Sequence, residues 1–218
     1  MARVAATFTG LLTVAFLIAA PVAYGVHEQN QVRNFRVVKD GVLYRSGQMT
    51  LTGLKRLLHD YGFKSVVSLR DGIQQNDLAE EDYCVREGIR FVRLPPRHWE
   101  APAGPAPVEE NVVQFRAVME DPNNYPVLIH CFAGVHRTGA YCAIYRMEKD
   151  HWSNADAIRE LKVSGYSNLY EELDVLGYLE AYKPTWREDA PDAAPALRKH
   201  LPAKAKKTAS KIQQILLQ

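Results

Sequence analysis

The sequence predicts an α/β fold with a central, mostly parallel sheet of about four to five strands flanked by helices. Short apolar runs alternate with segments of helical periodicity along most of the chain, and this order is typical of a parallel sheet covered on both faces. The length of 218 residues suits one globular domain with extensions, and the composition is that of a folded domain. An apolar helix is predicted to precede this domain.

The apolar N-terminal segment is the first predicted element. No charged residue lies between Arg3 and His27, and a helix of that length measures about 34 Å, enough to cross a bilayer. We favour a signal anchor over a cleaved signal peptide, because the apolar run is long and the cleavage site at Ala23-Tyr24-Gly25 is weak. The sequence therefore predicts a single-pass membrane protein or an exported one, and leaves the side of the membrane open.

Two short β-runs and a helix are predicted to open the domain. Asp40-Gly41 is a turn pair typical of a hairpin, and it separates the two runs. Thr50 or Thr52 is expected to cap the helix over LTGLKRLLHDY, which ends at Gly62.

Two buried strands and a long loop follow. KSVVSL and IRFVRL are predicted strands, and between them Asp77 is expected to cap a helix that ends at Gly88. Five prolines between residues 95 and 107 exclude regular structure there. Loops of this length in compact domains are usually functional lids or disordered segments.

The last part of the domain is predicted to be helical apart from one strand. Helix NVVQFRAVMED leads to the strand PVLIH, and a helix begins near Thr138 after a tight turn. Ser153 is expected to cap the next helix, and residues 169 to 182 form the last one.

The domain boundaries follow from these elements. We expect a membrane segment over residues 1–26, a polar linker over 27–34, the globular domain over 35–183, and a flexible basic tail over 184–218. The basic residues of the tail leave the domain itself mildly acidic, which argues against nucleic acid as a partner. Three cysteines without metal-ligand spacing indicate neither a disulfide framework nor a metal site.

The segment HCFAGVHRTG, residues 130–139, carries the chemistry. Gly134 permits a turn in which successive N–H groups point inward, and such a turn at a helix N-terminus attracts a tetrahedral anion. Arg137 adds a planar, bidentate donor for phosphate oxygens. Cys131 lies in the same positive field, which lowers thiol pKa values and prepares the thiolate for attack on phosphorus. Thr138 is placed to hydrogen-bond the sulfur, and His130 to orient the loop.

The other two cysteines have a simpler interpretation. Cys84 and Cys142 both fall within predicted amphipathic helices, and we interpret them as packing residues. Arg45 and Arg70 each end a predicted strand, and we interpret them as structural ion-pair partners rather than substrate contacts.

HCFAGVHRTG resembles the signature loop of cysteine-based protein tyrosine phosphatases. More narrowly, the chain is similar to the atypical dual-specificity phosphatases of plants and fungi over residues 34 to 182. The stretches that carry this similarity, besides the loop, are NFRVVKDGVLYRSGQ, DPNNYPVLIHC and KDHWS. The resemblance implies the compact dual-specificity phosphatase fold, no metal or other cofactor, and hydrolysis through a cysteinyl-phosphate.

The resemblance also implies roles for the residues of the loop. Cys131 matches the nucleophile and Arg137 the phosphate clamp, with His130 and Gly139 as supporting residues. The backbone expected to cradle the phosphate is that of Phe132, Ala133, Gly134, Val135, His136 and Arg137. Relatives often carry basic residues where this chain has Ala133 and Val135, which weakens the case for highly phosphorylated substrates.

The proton donor is the second departure from the family. Tyrosine phosphatases usually supply an aspartate from a mobile loop, but the corresponding residues 95–110 contain none. Glu100 is our first choice, because burial beside Trp99 would raise its pKa. Asp71 is second. The remaining acids and bases near the loop are Glu109, Glu110 and His98, of which the two glutamates more simply begin a helix.

The sequence therefore predicts a metal-independent phosphatase that acts on a phosphorylated protein, with phosphotyrosine or dual specificity, through Cys131. The alternatives are an inositol phosphate phosphatase and a phosphate-binding module without turnover. A sulfur-transfer or arsenate-reducing enzyme would share the loop, but no cysteine is placed to resolve a disulfide with Cys131.

Overall fold

The structure, a computed structural model, describes residues 2–187, with side chains from residue 12 onward. The chain divides into two units, Met1–Pro184 and Thr185–Gln218. In the second unit, Thr185–Arg187 form a 3₁₀ turn. The predicted basic tail lies, from residue 188 onward, outside the described residues.

Five strands and seven α-helices alternate in the described part of the first unit, which confirms the predicted α/β class. The strands are β1 Arg36–Lys39, β2 Leu43–Ser46, β3 Ser65–Ser68, β4 Arg90–Arg93 and β5 Val127–His130. The helices are α1 Ala2–Gln31, α2 Leu51–Tyr61, α3 Gln75–Arg86, α4 Glu109–Glu120, α5 His136–Lys149, α6 Asn154–Val163 and α7 Leu173–Ala181.

The strands form one sheet in the order β1-β2-β5-β3-β4. Only β1 runs antiparallel, paired with β2 through the hairpin at Asp40-Gly41 that the sequence predicts. In the parallel part, His130 at the end of β5 lies in register with Ser46 on one side and Ser68 on the other. The residues that follow three neighbouring strands therefore meet at one edge, where open α/β sheets bind ligands.

The hydrophobic core lies on both faces of this sheet. Alternate side chains of β5 point to opposite faces, so Ile129 packs with the cluster under α4 to α7 and Leu128 with the cluster under α2 and α3. Strands β2, β3 and β5 are buried along their whole length, as their apolar runs predict, whereas β4 at the sheet edge is partly exposed. The end of β5 is thereby held from both sides.

Local capping rules account for several helix ends. Thr50 accepts a hydrogen bond from the N–H of Gly53, Ser153 accepts one from Asp156, and Gly62 ends α2 in the left-handed conformation. These three predictions are confirmed. The predicted cap at Asp77 is wrong: α3 begins at Gln75, two residues before Asp77, and Asp77 is instead buried within its first turn. Its carboxylate is used by a tertiary ion pair described below.

Two helices near the site differ in extent from their predicted ranges. Helix α5 begins at His136 rather than near Thr138, so the tight turn is shorter and Arg137 already belongs to the first helical turn. Helix α7 begins at Leu173, because residues 169–171 form turns and Glu172 is the N-cap. Both differences place polar side chains at helix N-termini close to the sheet edge.

Helix α1 extends beyond the apolar stretch that predicts it. It continues through the predicted linker to Gln31, and its last turns contact α2, where Glu28 and Arg56 form an ion pair at 2.7 Å. Across residues 2–187 no helix has both the length and the apolar character that a bilayer crossing requires. This finding overturns the predicted membrane anchor and the localisation based on it. The physical reason is that the apolar residues belong to the same helix as the polar residues 27–31, and this polar end contacts α2 through Glu28.

Candidate active site

The candidate site is the turn between β5 and α5, residues 131–135, together with the segments that follow β2 and β3. Cys131 immediately follows the buried end of β5, and its side chain is almost fully buried. The turn and the first residues of α5 hold most of the residues that the sequence predicts for the site. The structure therefore brings the predicted loop together at the carboxyl edge of the parallel strands.

Gly134 allows this turn to form. Its φ angle is +73°, and a Cβ at this position would lie 2.3 Å from the backbone nitrogen of Gly47. Only glycine fits, both because of the left-handed conformation and because the backbone after β2 passes so closely. The N–H of Gly134 donates to the Cys131 sulfur at 3.2 Å, as expected for inward-pointing amides.

The carbonyl groups of the turn are held from the outside. Arg45 on β2 donates to the carbonyl of Gly134 at 2.7 Å and to that of Val135 at 3.3 Å. The side chain of Asn34 donates to the Ala133 carbonyl at 2.8 Å. With these carbonyls turned outward, the N–H groups of the same peptide units face the centre of the turn.

Arg45 has a different role from the predicted ion pair. Its guanidinium is buried and serves the backbone of the turn, so it is a positioning residue of the site. Arg70, by contrast, confirms its predicted role, because it pairs with buried Asp77 at 3.1 Å. The guanidinium of Arg70 also lies 5.4 Å from the ring centre of Phe132, the second residue of the turn.

The turn lowers the pKa of the Cys131 thiol below its ordinary value. Burial alone would raise this pKa, but the polar groups of Thr138, the N–H of Gly134 and the charge of Arg137 outweigh burial. For the other two cysteines, burial is the dominant effect. Burial raises the pKa of Cys84 to about 12 and that of Cys142 to about 11, which suits their interpretation as packing residues. Thiolate character is thus concentrated at Cys131.

His130 is buried directly beneath the turn. Its Nε2 lies 2.9 Å from the carboxylate of Glu80 on α3. Burial disfavours the charged imidazole, but the Glu80 carboxylate raises the pKa of His130 above its ordinary value. The pair holds the imidazole in place next to Cys131, and Glu80 is not among the residues that the motif predicts.

Arg137 connects the turn to a cavity. Its Nη1 donates to the carbonyl of Leu69, just after β3, at 2.6 Å. The side chain also lines a cavity of about 180 Å³. The other residues that line it are Trp99, His136, Ala140, Tyr166, Glu172, Asp174 and Val175. Space for a ligand therefore adjoins the predicted phosphate clamp.

The remaining predicted loop residues fall into two groups. Thr138 and Gly139 are buried in the first turn of α5, and Gly139 lies where a side chain would collide with Leu161 of α6. Phe132 and His136 are exposed at the rim, where His136 stacks on Tyr166 with ring centres 4.5 Å apart. The buried pair supports the turn, and the exposed pair is accessible to a substrate.

The predicted proton donors lie outside the cavity. Trp99 turns its ring inward against Tyr141 and Tyr178, and Glu100, the next residue, is exposed. Asp71 is also exposed, and its carboxylate accepts a hydrogen bond from the N–H of Ile73.

The other candidates for the donor are occupied elsewhere or exposed. Glu109 accepts a hydrogen bond from the hydroxyl of Tyr178, and Glu110 pairs with Arg97 at 3.1 Å. His98 is exposed. The carboxylates that do line the cavity, Glu172 and Asp174, have no signal in the sequence pattern, because they come from the far end of the chain.

A family model matches most of the chain. Residues 20–173 match the family described as DSP-PTPase phosphatase fused to NAD+ kinase. Among curated proteins, inositol diphosphatase DSP5 of Arabidopsis thaliana is 29% identical over 157 residues, which cover 66% of this chain and 71% of that protein. Chloroplastic NAD kinase 2 of Arabidopsis thaliana is 33% identical over 100 residues, which cover 44% of this chain and only 10% of the kinase.

Solved structures show the same fold. The catalytic core of Siw14 superposes with a TM-score of 0.56 at 22% identity, covering 73% of this chain and 88% of the other. TpbA of P. aeruginosa, solved in complex with pTyr, superposes with a TM-score of 0.54 at 22% identity, covering 71% and 91%. At this level of identity the likeness concerns the fold.

Proposed function

The chain belongs to the family of DSP-PTPase phosphatases described as fused to NAD+ kinase, and on this premise we propose that it hydrolyses phosphomonoesters through a cysteinyl-phosphate on Cys131. One observation carries the proposal. The Cys131 thiol has a lowered pKa inside a turn that receives the N–H of Gly134 and the charge of Arg137. A thiolate beneath an anion cradle is the arrangement that in-line attack on a phosphoryl group requires.

The reaction has two steps. In the first, the Cys131 sulfur forms a bond to phosphorus while the bond from phosphorus to the substrate oxygen breaks. In the second, water attacks the cysteinyl-phosphate, the S–P bond breaks, and inorganic phosphate leaves. Arg137 and the inward N–H groups stabilise the charge on the transferred oxygens in both steps. Thr138 stabilises the departing thiolate in the second, because it already lowers the pKa of that thiol.

Trapping the intermediate tests this proposal. The parent protein is mixed with p-nitrophenyl phosphate in the presence of a chelator, quenched with acid within milliseconds to seconds, digested and analysed by mass spectrometry. We expect one phosphoryl group on the peptide that contains Cys131, and a burst of nitrophenol equal to the enzyme concentration. Turnover without this adduct would contradict the mechanism. Binding of phosphate without any turnover would support the phosphate-binding module instead.

We take a phosphorylated protein as the first substrate class. Phe132 is 47% exposed beside the thiol and offers an apolar ring to the phenyl group of phosphotyrosine. The side chains of Ala133 and Val135 are uncharged, so they offer no binding group for additional phosphates on the substrate. TpbA, which has the same fold, was solved in complex with pTyr.

An inositol phosphate is the second candidate, and one contact favours it. The guanidinium of Arg33, just after α1, lies 5.2 Å from the centre of the Phe132 ring, so a cation stands at the mouth of the site despite the uncharged loop. Arg33 is exposed and able to turn toward a second phosphate group. The relative DSP5 carries the name inositol diphosphatase.

Arg33→Ala separates the two substrate classes. If the substrate carries several phosphate groups, we expect the KM for an inositol pyrophosphate to rise about tenfold, because one charged contact is lost. The KM for a phosphotyrosine peptide should change less than twofold. Arg159→Ala is the matched control, since Arg159 is an exposed arginine of α6 paired with Asp156. Equal KM changes for both substrates would contradict a selective role for Arg33.

A further inference from the structure

The cavity beside Arg137 has two unlike walls. One wall consists of α5 and the proline-rich loop, which contribute Arg137 and the inward-facing ring of Trp99. The second wall comes from the C-terminal end of the domain, where Glu172 and Asp174 lie at the beginning of α7. If Arg137 binds the phosphate as proposed, this cavity is the space next to it into which the leaving group of a substrate can extend.

The proposed reaction needs a proton donor at this place. The leaving oxygen of an alkyl or tyrosyl phosphate is strongly basic, since the phenol of tyrosine has a pKa of about 10. Positioned acids contribute roughly 10²–10⁴-fold to such steps. Glu100 and Asp71 are exposed and do not line the cavity, whereas Glu172 and Asp174 do.

The two cavity carboxylates differ in their partners. Glu172 accepts hydrogen bonds from the hydroxyl of Tyr166 and from the side-chain amide of Asn168, so both of its oxygens are engaged. No described residue donates a hydrogen bond to the carboxylate of Asp174, which is half-buried. We propose that Asp174 is the general acid of this phosphatase, a role that rests on the proposed function of Cys131.

The proton balance of the reaction follows. As the thiolate of Cys131 attacks, the bond between phosphorus and the leaving oxygen breaks, its electron pair stays on that oxygen, and the carboxyl proton of Asp174 moves to it. The alcohol leaves and Asp174 becomes a carboxylate. In the second step Asp174 takes a proton from the attacking water, and the thiolate of Cys131 is released with phosphate. Each turnover therefore restores both groups.

Leaving-group dependence tests the assignment, since a carboxylate in the first turn of a helix also has a purely structural use. We expect Asp174→Asn to lower kcat/KM, which reports the first step alone, at least 100-fold for a phosphotyrosine peptide, whose leaving oxygen needs the proton. For 2,4-dinitrophenyl phosphate, whose leaving oxygen is stable without one, kcat/KM should fall less than fivefold. Matched variants are Glu172→Gln on the same wall, and Glu100→Gln and Asp71→Asn outside the cavity.

The outcomes are distinct. Loss of kcat/KM confined to the poor leaving group in Asp174→Asn supports the assignment. An equal loss of kcat/KM for both substrates indicates a structural role and overturns the assignment. The assignment is also overturned if the selective loss occurs in one of the other three variants and not in Asp174→Asn. If the parent releases no phosphate from either substrate, the proposed function itself is wrong. If the parent is active and Asp174→Asn is as active as the parent, only the assignment of the general acid is wrong.

Discussion

Replacing Cys131 by serine is expected to lower kcat for p-nitrophenyl phosphate by about 10⁴-fold or more, in line with the loss of other nucleophiles. The turn lowers the pKa of the Cys131 thiol, and it would lower that of a serine hydroxyl in the same way. The pKa of an alcohol is so much higher, however, that the hydroxyl would stay protonated. The measurement is release of nitrophenol at saturating substrate. Activity of Cys131→Ser within tenfold of the parent would exclude Cys131 as the nucleophile.

Two further measurements distinguish loss of chemistry from loss of structure. Inorganic phosphate should still bind Cys131→Ser, because Arg137 and the N–H groups of the turn remain, and calorimetric titration measures this directly. Cys142→Ser is the matched control: it makes the same atomic change on α5, where the thiol is buried and its pKa is raised to about 11. This control should keep at least half of the parent kcat, since a helical serine can hydrogen-bond to a backbone carbonyl one turn earlier.

The sequence predicts the parts of this site that lie close together in the chain. The strand PVLIH, the glycine at position 134 and a helix after the turn all follow from local patterns, and the structure has them in that order, with α5 beginning two residues before the predicted start. The caps at Thr50 and Ser153 are also local, since each hydroxyl bonds an N–H three residues away. The family resemblance rests on the same local segment.

The remaining parts of the site depend on contacts between distant segments, which a single sequence does not reveal. Arg45 reaches the Gly134 carbonyl across 89 residues, and Asp174 lines the same cavity as Arg137 because α7 packs beside α5. The membrane prediction fails for a related reason. The hydropathy of the sequence identifies the apolar stretch. It does not reveal that the same helix continues past Glu28, whose carboxylate pairs with Arg56 of α2.

Asp77 shows how a tertiary contact overrides a local preference. As a residue type it favours a helix cap, yet here it lies fully buried and binds partners from two other segments. Its Oδ1 accepts from Gln48 at 2.8 Å and from Arg70 at 3.1 Å, and its Oδ2 accepts from Arg70 at 3.2 Å. The backbone N–H of Gln48 in turn donates to the Phe132 carbonyl at 2.9 Å. The ion pair therefore supports the active-site turn from behind.

Asp77→Asn is expected to destabilise the domain by about 3–5 kcal/mol, the usual result of breaking a buried ion pair on one side. The new amide keeps the shape of the side chain, but it leaves the Arg70 guanidinium buried without a counter-charge. Its NH₂ group would also face the donors of Arg70 or Gln48, so one hydrogen bond becomes a donor–donor contact. Urea unfolding at neutral pH measures the change in the free energy of unfolding.

The control for this change is a carboxylate in an exposed pair. Glu110→Gln removes one charge from the pair with Arg97, whose side chains are 69% and 42% exposed, and should cost less than about 1 kcal/mol. Because the Asp77 pair backs the turn, Asp77→Asn should also raise the KM for p-nitrophenyl phosphate at temperatures where the variant is folded, and Glu110→Gln should not. If the free energy of unfolding of Asp77→Asn is within about 1 kcal/mol of that of the parent and the KM is unchanged, the buried pair supports neither the fold nor the turn.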